Sequence, residues 1–303
     1  MKQLFEIYSK VEKKCVALYS VDGQLSGAIQ VLRASFIKCL HFNIMISKRE
    51  LEDNLMFFMP MLRGICEDII YHNYVFNVLH DDDKLNFISA YQIIDLEKSV
   101  ASQEDFFTVI RPSQPIITKS ILHEMVIPPN LIANNIMKDL KTKYGWKKNP
   151  PSVYQLAEIG NISDIYKYLY AATSRLVHFN PQSLFQMIWG EFENSEKRKI
   201  KSMKISIENY KKYYNQFCIF YGYYLLKMFI EKLGEILKID TKAEMASLEE
   251  YFKQSRWPEI ITFEELNISL EDGVSKFKFE KEGIEGYMSN LMHKLFENDR
   301  NDT

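Results

Sequence analysis

Glycine and proline are scarce: 11 and 9 in 303 residues. A chain of many short strands needs turn residues throughout, so this scarcity argues against a sandwich or barrel and for long helices. Cysteine is sparse too. Cys15, Cys39, Cys66 and Cys218 contain no Cys-x-x-Cys pair, which excludes a zinc ribbon or thioredoxin-like site and leaves free, buried thiols suited to a reducing compartment. Long apolar runs are missing. The most apolar, "CIFYGYYLL" from Cys218 to Leu226, is followed by Lys227, Glu231 and Lys232 and falls well short of the ~20 residues of a spanning helix. The start, "MKQLFEIYSKVEKK", lacks the apolar centre of a signal peptide. These features point to a cytosolic protein. No Gly-x4-Gly-Lys-Ser/Thr loop and no His-Glu-x-x-His occurs, so neither a P-loop nucleotide site nor a zincin is expected, and no cofactor or metal is implied.

Net charge is −2, but it is unevenly spread. From Lys138 to Lys212 there are fourteen Lys or Arg against seven Asp or Glu. The densest part, "EKRKIKSMK", holds Lys197, Arg198, Lys199 and Lys201. Such a cluster is either a solvated face or a phosphate-facing patch for nucleic acid.

Apolar spacing predicts helices over residues 3–20 and 25–46, separated by an Asp-Gly turn. Ser47 and Glu50 form a capping-box pattern for a longer helix towards Leu79, kinked or split at Pro60. Further helices are expected over 83–101, 118–127 and 129–144. "GWKKNPPS" breaks the chain, and Ser152 can cap a short helix. Another helix is expected from Asp164 to about Phe179, and "SLFQMIWGEF" is either a short strand or a loop. A helix from about Lys204 to Leu237 carries so many aromatics that it should be the buried centre; a ladder for stacking bases is the sharper alternative. This predicts an all-α multi-helix bundle over residues 1–239. A small mixed extension is expected over 240–303, with one or two short strands and a final helix near 285–296.

Two constellations could carry chemistry. Arg63 and Glu67, in "RGICED", are four apart and share a helix face among apolar neighbours. Tyr170, Ser174 and His178 are also spaced by four and form a polar stripe. Polar groups so placed must find partners. Either they are a satisfied network holding helices in register, or they line a cleft. In a cleft, His178 would serve as general acid or base, Arg63 would clamp an anion and Glu67 would orient either one. "HDDDK", His80 to Lys84, gathers carboxylates, but three in succession at a helix start point apart; the helix dipole accounts for them better than a metal does.

The string "PPSVYQLAEIGNISDIYKYLYAATSRLVHFNPQSL" resembles the signature of a bacterial family of uncharacterised helical proteins. The matching residues are Trp146, Pro151, Ser152, Ala157, Glu158, Tyr166, Tyr170, Ser174 and His178, with Arg63 and Glu67 upstream, over roughly residues 25 to 230. That family is similar to the HEPN superfamily of helical RNases and nucleotide-binding domains. The resemblance implies a HEPN-like bundle and an RNA- or nucleotide-directed effector, a ribonuclease among the options, in a defence or toxin–antitoxin system. It also implies an RNA, nucleotide or protein partner and a tendency to dimerise. The HEPN ribonuclease pattern of Arg, four to six residues, then His is absent: Arg175 and His178 are two residues apart, Arg33 and His41 seven. Arg63 would have to supply the cation from another helix. The alternative is a non-catalytic helical interaction protein, a sensor, antitoxin or scaffold, with a structural polar network.

Overall fold

Residues 2–19, 23–49, 54–125, 129–178, 180–192, 200–253 and 257–261 are described by a computed structural model. The chain divides into two units, Met1–Trp257 and Pro258–Thr303. The strands and helix expected beyond residue 261 lie outside the described residues.

The first unit opens with α1 (Lys2–Tyr19) and α2 (Gly23–Arg49). They bury the predicted stripes: Ile7 and Val11 in one, Ile29, Leu32, Phe36 and Leu40 in the other. Gly27–Lys48 in α2 is long and apolar enough by composition to cross a membrane, yet half of it is buried inside the fold, against α11, α4 and α1. That is how a core helix behaves. The capping box at Ser47 does not form. Ser47 lies inside α2, its hydroxyl donating to Ile44 O at 3.1 Å, next to Ile46, the last buried residue of the helix among the described ones. The cap is supplied instead by Asn54, which accepts from Met56 N at the start of a 3-10 turn, Leu55–Phe58. α3 (Met59–Asn77) follows, and Pro60 sits in its first turn, where proline starts a helix rather than kinking it.

Next come α4 (Asp81–Ile110), α5 (Lys119–Met125) and α6 (Pro129–Tyr144). α6 runs back along α4 and is tied to its start by Lys143 Nζ and Tyr144 Oη, which donate to Asp83 Oδ2 at 2.6 and 2.5 Å. Gly145 ends α6 at φ +68°, a conformation glycine tolerates best. Trp146 is then buried against Phe87 and Tyr74, and its Nε1 donates to Tyr74 Oη at 2.7 Å. Ser152 caps α7 (Val153–Ile159) through Gln155 N, as its position predicts.

The tyrosine helix is interrupted. α8 (Ser163–Ile165) passes into a π-helical turn, Tyr166–Tyr170, in which Ala171 N bonds Tyr166 O, and then into α9 (Ala171–Ser174). Helix ends at Ser174 rather than near Phe179, and residues 175–177 are turns. α10 (Pro181–Phe185) precedes an antiparallel hairpin of β1 (Ile188–Phe192) and β2 (Ile200–Ile205). The pairing runs Ile188↔Ile205 to Phe192↔Ile200, with an irregularity at Glu191/Phe192. "SLFQMIWGEF" is therefore part helix and part strand. β2 also takes residues expected to begin the following helix, so α11 starts at Lys211 and ends at Leu237. Among the described residues this hairpin is the one departure from an all-α fold.

α11 is the centre. Tyr214, Phe217, Phe220, Tyr221 and Phe229 are buried, and it packs on α2, α3, the 3-10 turn, α1 and α12 (Lys242–Phe252). These five aromatics are core, while Tyr213, Tyr223 and Tyr224 are partly buried. At Gly222 the backbone of α11 meets α2 closely enough for Asn43 Nδ2 to donate to Gly222 O at 3.0 Å. The compact unit runs through α12 to Trp257, past the change in composition near residue 240. Phe252 and Trp257 stand 5.2 and 5.0 Å from the Phe220 ring.

Candidate functional site

Two helices meet with a polar stripe on each. On α3 the stripe is Arg63, Glu67 and Tyr71, one turn apart. On the segment packed against it the stripe is Tyr166, Tyr170 and Ser174. Both follow from helical spacing, since residues four apart share a face. The π turn brings residues i and i+4 nearer to eclipsing than an α-helix does. The Tyr166 and Tyr170 rings accordingly stack at 4.6 Å and 18°.

Arg63 joins the stripes. Nε donates to Ser174 Oγ at 3.1 Å and Nη2 to Tyr170 Oη at 2.5 Å, and the guanidinium carbon lies 4.7 Å from the Tyr170 ring centre. Ser174 Oγ itself donates a hydrogen bond to Tyr170 O at 2.6 Å. Among the described residues no carboxylate lies within ion-pair distance of Arg63, and Nη1 makes no hydrogen bond. The ring series extends outward, with Tyr154 of α7 at 5.3 Å from Tyr166 and its hydroxyl on Glu158 Oε1 at 2.5 Å.

Glu67 is half-buried and makes no hydrogen bond or ion pair among the described residues. Burial raises its carboxyl pKa above the ordinary value; the Arg63 charge opposes this and the adjacent Asp68 adds to it. Asp68 pairs with Lys38 Nζ of α2 at 2.5 Å. Its pKa is also raised by burial, against the pull of Lys38. Tyr71 donates to Tyr91 Oη of α4 at 2.6 Å, and burial raises its pKa. The junction of the two stripes thus holds an anchored guanidinium with one nitrogen left unbonded, a carboxyl that keeps its proton longer than usual, and stacked phenol rings. It can take an anion at Arg63, exchange a proton at Glu67 and stack a planar group.

The geometry joins Arg63, Tyr170 and Ser174 directly. His178 stands apart. Its backbone N reaches Ser174 O at 3.2 Å, but its side chain is exposed and makes no hydrogen bond among the described residues. It is no plug of the core, because the helix expected to carry it ends one turn earlier. Of the basic cluster, Lys201 lies in β2, while Lys197, Arg198 and Lys199 lie outside the described residues. At the start of α4, Asp81 pairs with Lys84 at 2.5 Å and Asp83 with Lys143 and Tyr144. No group of three or more metal-ligating side chains occurs among the described residues. Tyr71 continues the four-residue spacing of Arg63 and Glu67, and could have been found by extending it one turn. Lys38 and Tyr91 come from other helices and carry no local signal.

Comparison with known proteins adds one match. No curated protein and no solved structure matches the chain. A model described as a family of unknown function (DUF5677) matches residues 58–197, a span that contains both polar stripes and His178.

Proposed function

We propose that this protein is an RNA- or nucleotide-directed effector, of the bacterial defence or toxin–antitoxin kind that the HEPN resemblance implies, and that it acts at the cleft between α3 and the Tyr166–Ser174 segment. The observation that carries this reading is the state of Arg63. A half-buried guanidinium without a carboxylate partner is costly to hold. Here it is fixed by Tyr170 and Ser174, and Nη1 makes no hydrogen bond among the described residues, which leaves it available to an anion. Phosphate suits a guanidinium edge, and the tyrosines suit a base.

Cleavage of RNA needs a cation on the phosphate, a group that takes the 2′-hydroxyl proton and a group that returns one to the leaving 5′-oxygen. Arg63 is the cation in this reading. Glu67 and His178 are the proton carriers, and Lys197, Arg198, Lys199 and Lys201 steer the phosphate chain. A second reading, a non-catalytic interaction protein, is favoured by one observation: nothing among the described residues orients the His178 ring.

The test is end-labelled single-stranded RNA incubated with the purified chain, with a 2′-deoxy analogue as control. Cleavage of RNA alone supports the first reading. Binding without cleavage keeps the RNA-directed reading and removes the ribonuclease step, and neither binding nor cleavage overturns the first reading in favour of the second.

A further inference from the structure

The tyrosine row beside Arg63 has a direction. Arg63 Nε reaches Ser174, one turn beyond Tyr170, while Tyr166 stacks on Tyr170 from one turn before it. The guanidinium also lies over the Tyr170 ring, 4.7 Å from its centre. Tyr170 is therefore flanked by a cation and by a second phenol, which leaves little of its ring to a planar ligand. Tyr166 lies between Tyr170 and Tyr154 of α7, whose ring is tilted by 58° at 5.3 Å. Tyr154 ends the row. It is 38% exposed, and Tyr166 is its one ring neighbour among the described residues. Its ring is also held in place, because Oη donates to Glu158 Oε1, one turn along α7.

We propose that Tyr154 is the platform on which a base of the ligand stacks, and that the ligand is a single strand of at least two nucleotides, not a free mononucleotide. Resting on the RNA- or nucleotide-directed reading of the cleft, this assignment narrows the ligand to a strand. A stacking base needs an aromatic face that it can reach, and the row presents one at Tyr154. Tyr166 and Tyr170 stand between Tyr154 and Arg63. A base on Tyr154 and a phosphate on Arg63 are thus two ring spacings apart, roughly 10 Å. In a mononucleotide one sugar joins the base to its own phosphate, which is too short a link for that gap. In a strand the neighbouring nucleotide supplies the phosphate. Every base has a π-face, so a tyrosine platform recognises a strand with little regard to its sequence.

Fluorescence anisotropy of a short labelled single-stranded RNA with the full chain tests it, circular dichroism checking that each variant is folded. Tyr154→Ala is expected to bind about five- to a hundredfold more weakly, the worth of one base–aromatic stack. Tyr154→Phe keeps the ring and gives up only the bond to Glu158, so it should bind as the wild type does. A second arm uses the wild type alone and so decides even if Tyr154→Ala does not fold. There the 5′-phosphorylated dinucleotide of adenosine should displace the labelled RNA about tenfold more potently than adenosine 5′-monophosphate. Equal potency of the two competitors, or a Tyr154→Phe variant as weak as Tyr154→Ala, overturns the proposal. RNA binding that Arg63→Ala weakens and Tyr154→Ala does not overturns it too, while leaving the reading of the cleft in place. A wild type that binds no RNA overturns that reading and the platform with it.

Discussion

Arg63 Nε donates to Ser174 Oγ at 3.1 Å, across 111 positions of sequence. With the bond from Nη2 to Tyr170, one side chain fastens α3 to the tyrosine helix and is itself held still. Arg63→Ala removes both donors and the contact with the Tyr170 ring. It should lower stability by about 1–3 kcal/mol, measured by urea unfolding. Arg63→Lys should recover only part of this, because an ammonium cannot serve two acceptors in the fixed geometry of a guanidinium. Equal stability of all three proteins would mean that the bonds hold nothing together.

Gly222 sets the closest approach of α2 and α11. A methyl group there would stand 2.7 Å from Asn43 Oδ1, 3.0 Å from Phe42 Cε1 and 3.2 Å from Ile46 Cδ1. All three are packed in the core, so none can retreat cheaply. Gly222→Ala should cost about 1–3 kcal/mol through overpacking, despite the better helix propensity of alanine. A stabilised variant in thermal melting would show that the two helices can move apart.

Much of this was legible in the sequence, for reasons tied to particular residues. The stripes of α1 and α2, the break at Gly145, the cap at Ser152 and the burial of α11 follow from local spacing and turn chemistry. The meeting of Arg63 with Tyr170 and Ser174 was also visible, because polar groups at one-turn spacing on apolar helices need partners; Glu67, expected to share them, makes no hydrogen bond among the described residues. What failed was the extent of elements. Ser47 had the local form of a cap, but tertiary burial of α2 carried the helix past it. The π turn and the early end at Ser174 had no periodic signature, and they removed His178 from the helix that was to present it. Lys38, thirty positions from Asp68 on another helix, could be found only from the fold.

His72 makes stability depend on pH. It is buried, with Nε2 2.8 Å from Ser35 Oγ and Nδ1 without a partner. Burial, helped by the charge of Lys38, lowers its pKa to about 4. The unfolded ring takes up a proton near pH 6.5, whereas the folded ring does so only near 4. Between these values the unfolded state binds more protons, so the contribution is full above about pH 6.5 and is lost as pH falls towards 4. The loss should amount to about 2–3 kcal/mol. Glu67 and Asp68, with raised folded values, act in the opposite direction as they protonate. Comparing wild type with His72→Gln isolates the histidine. The variant should lose less stability between pH 7 and pH 5, and identical slopes would remove His72 from the account.

His178 gives the cleanest separation of chemistry from folding. Its side chain is exposed and unbonded among the described residues, so His178→Ala should melt with the wild type. If it carries a proton in the reaction, RNA cleavage should fall by about two to four orders of magnitude. Undiminished cleavage would leave proton transfer to other groups.

The most direct measurement is the affinity of a short single-stranded RNA for the wild type and for Arg63→Ala, read by fluorescence anisotropy where circular dichroism shows both proteins folded. A phosphate bound at the unbonded Nη1 of Arg63 should make the variant weaker by about ten- to a hundredfold, the worth of one charge-assisted contact. Equal affinity in the folded variant, or no binding by the wild type, would contradict the role given to the cleft.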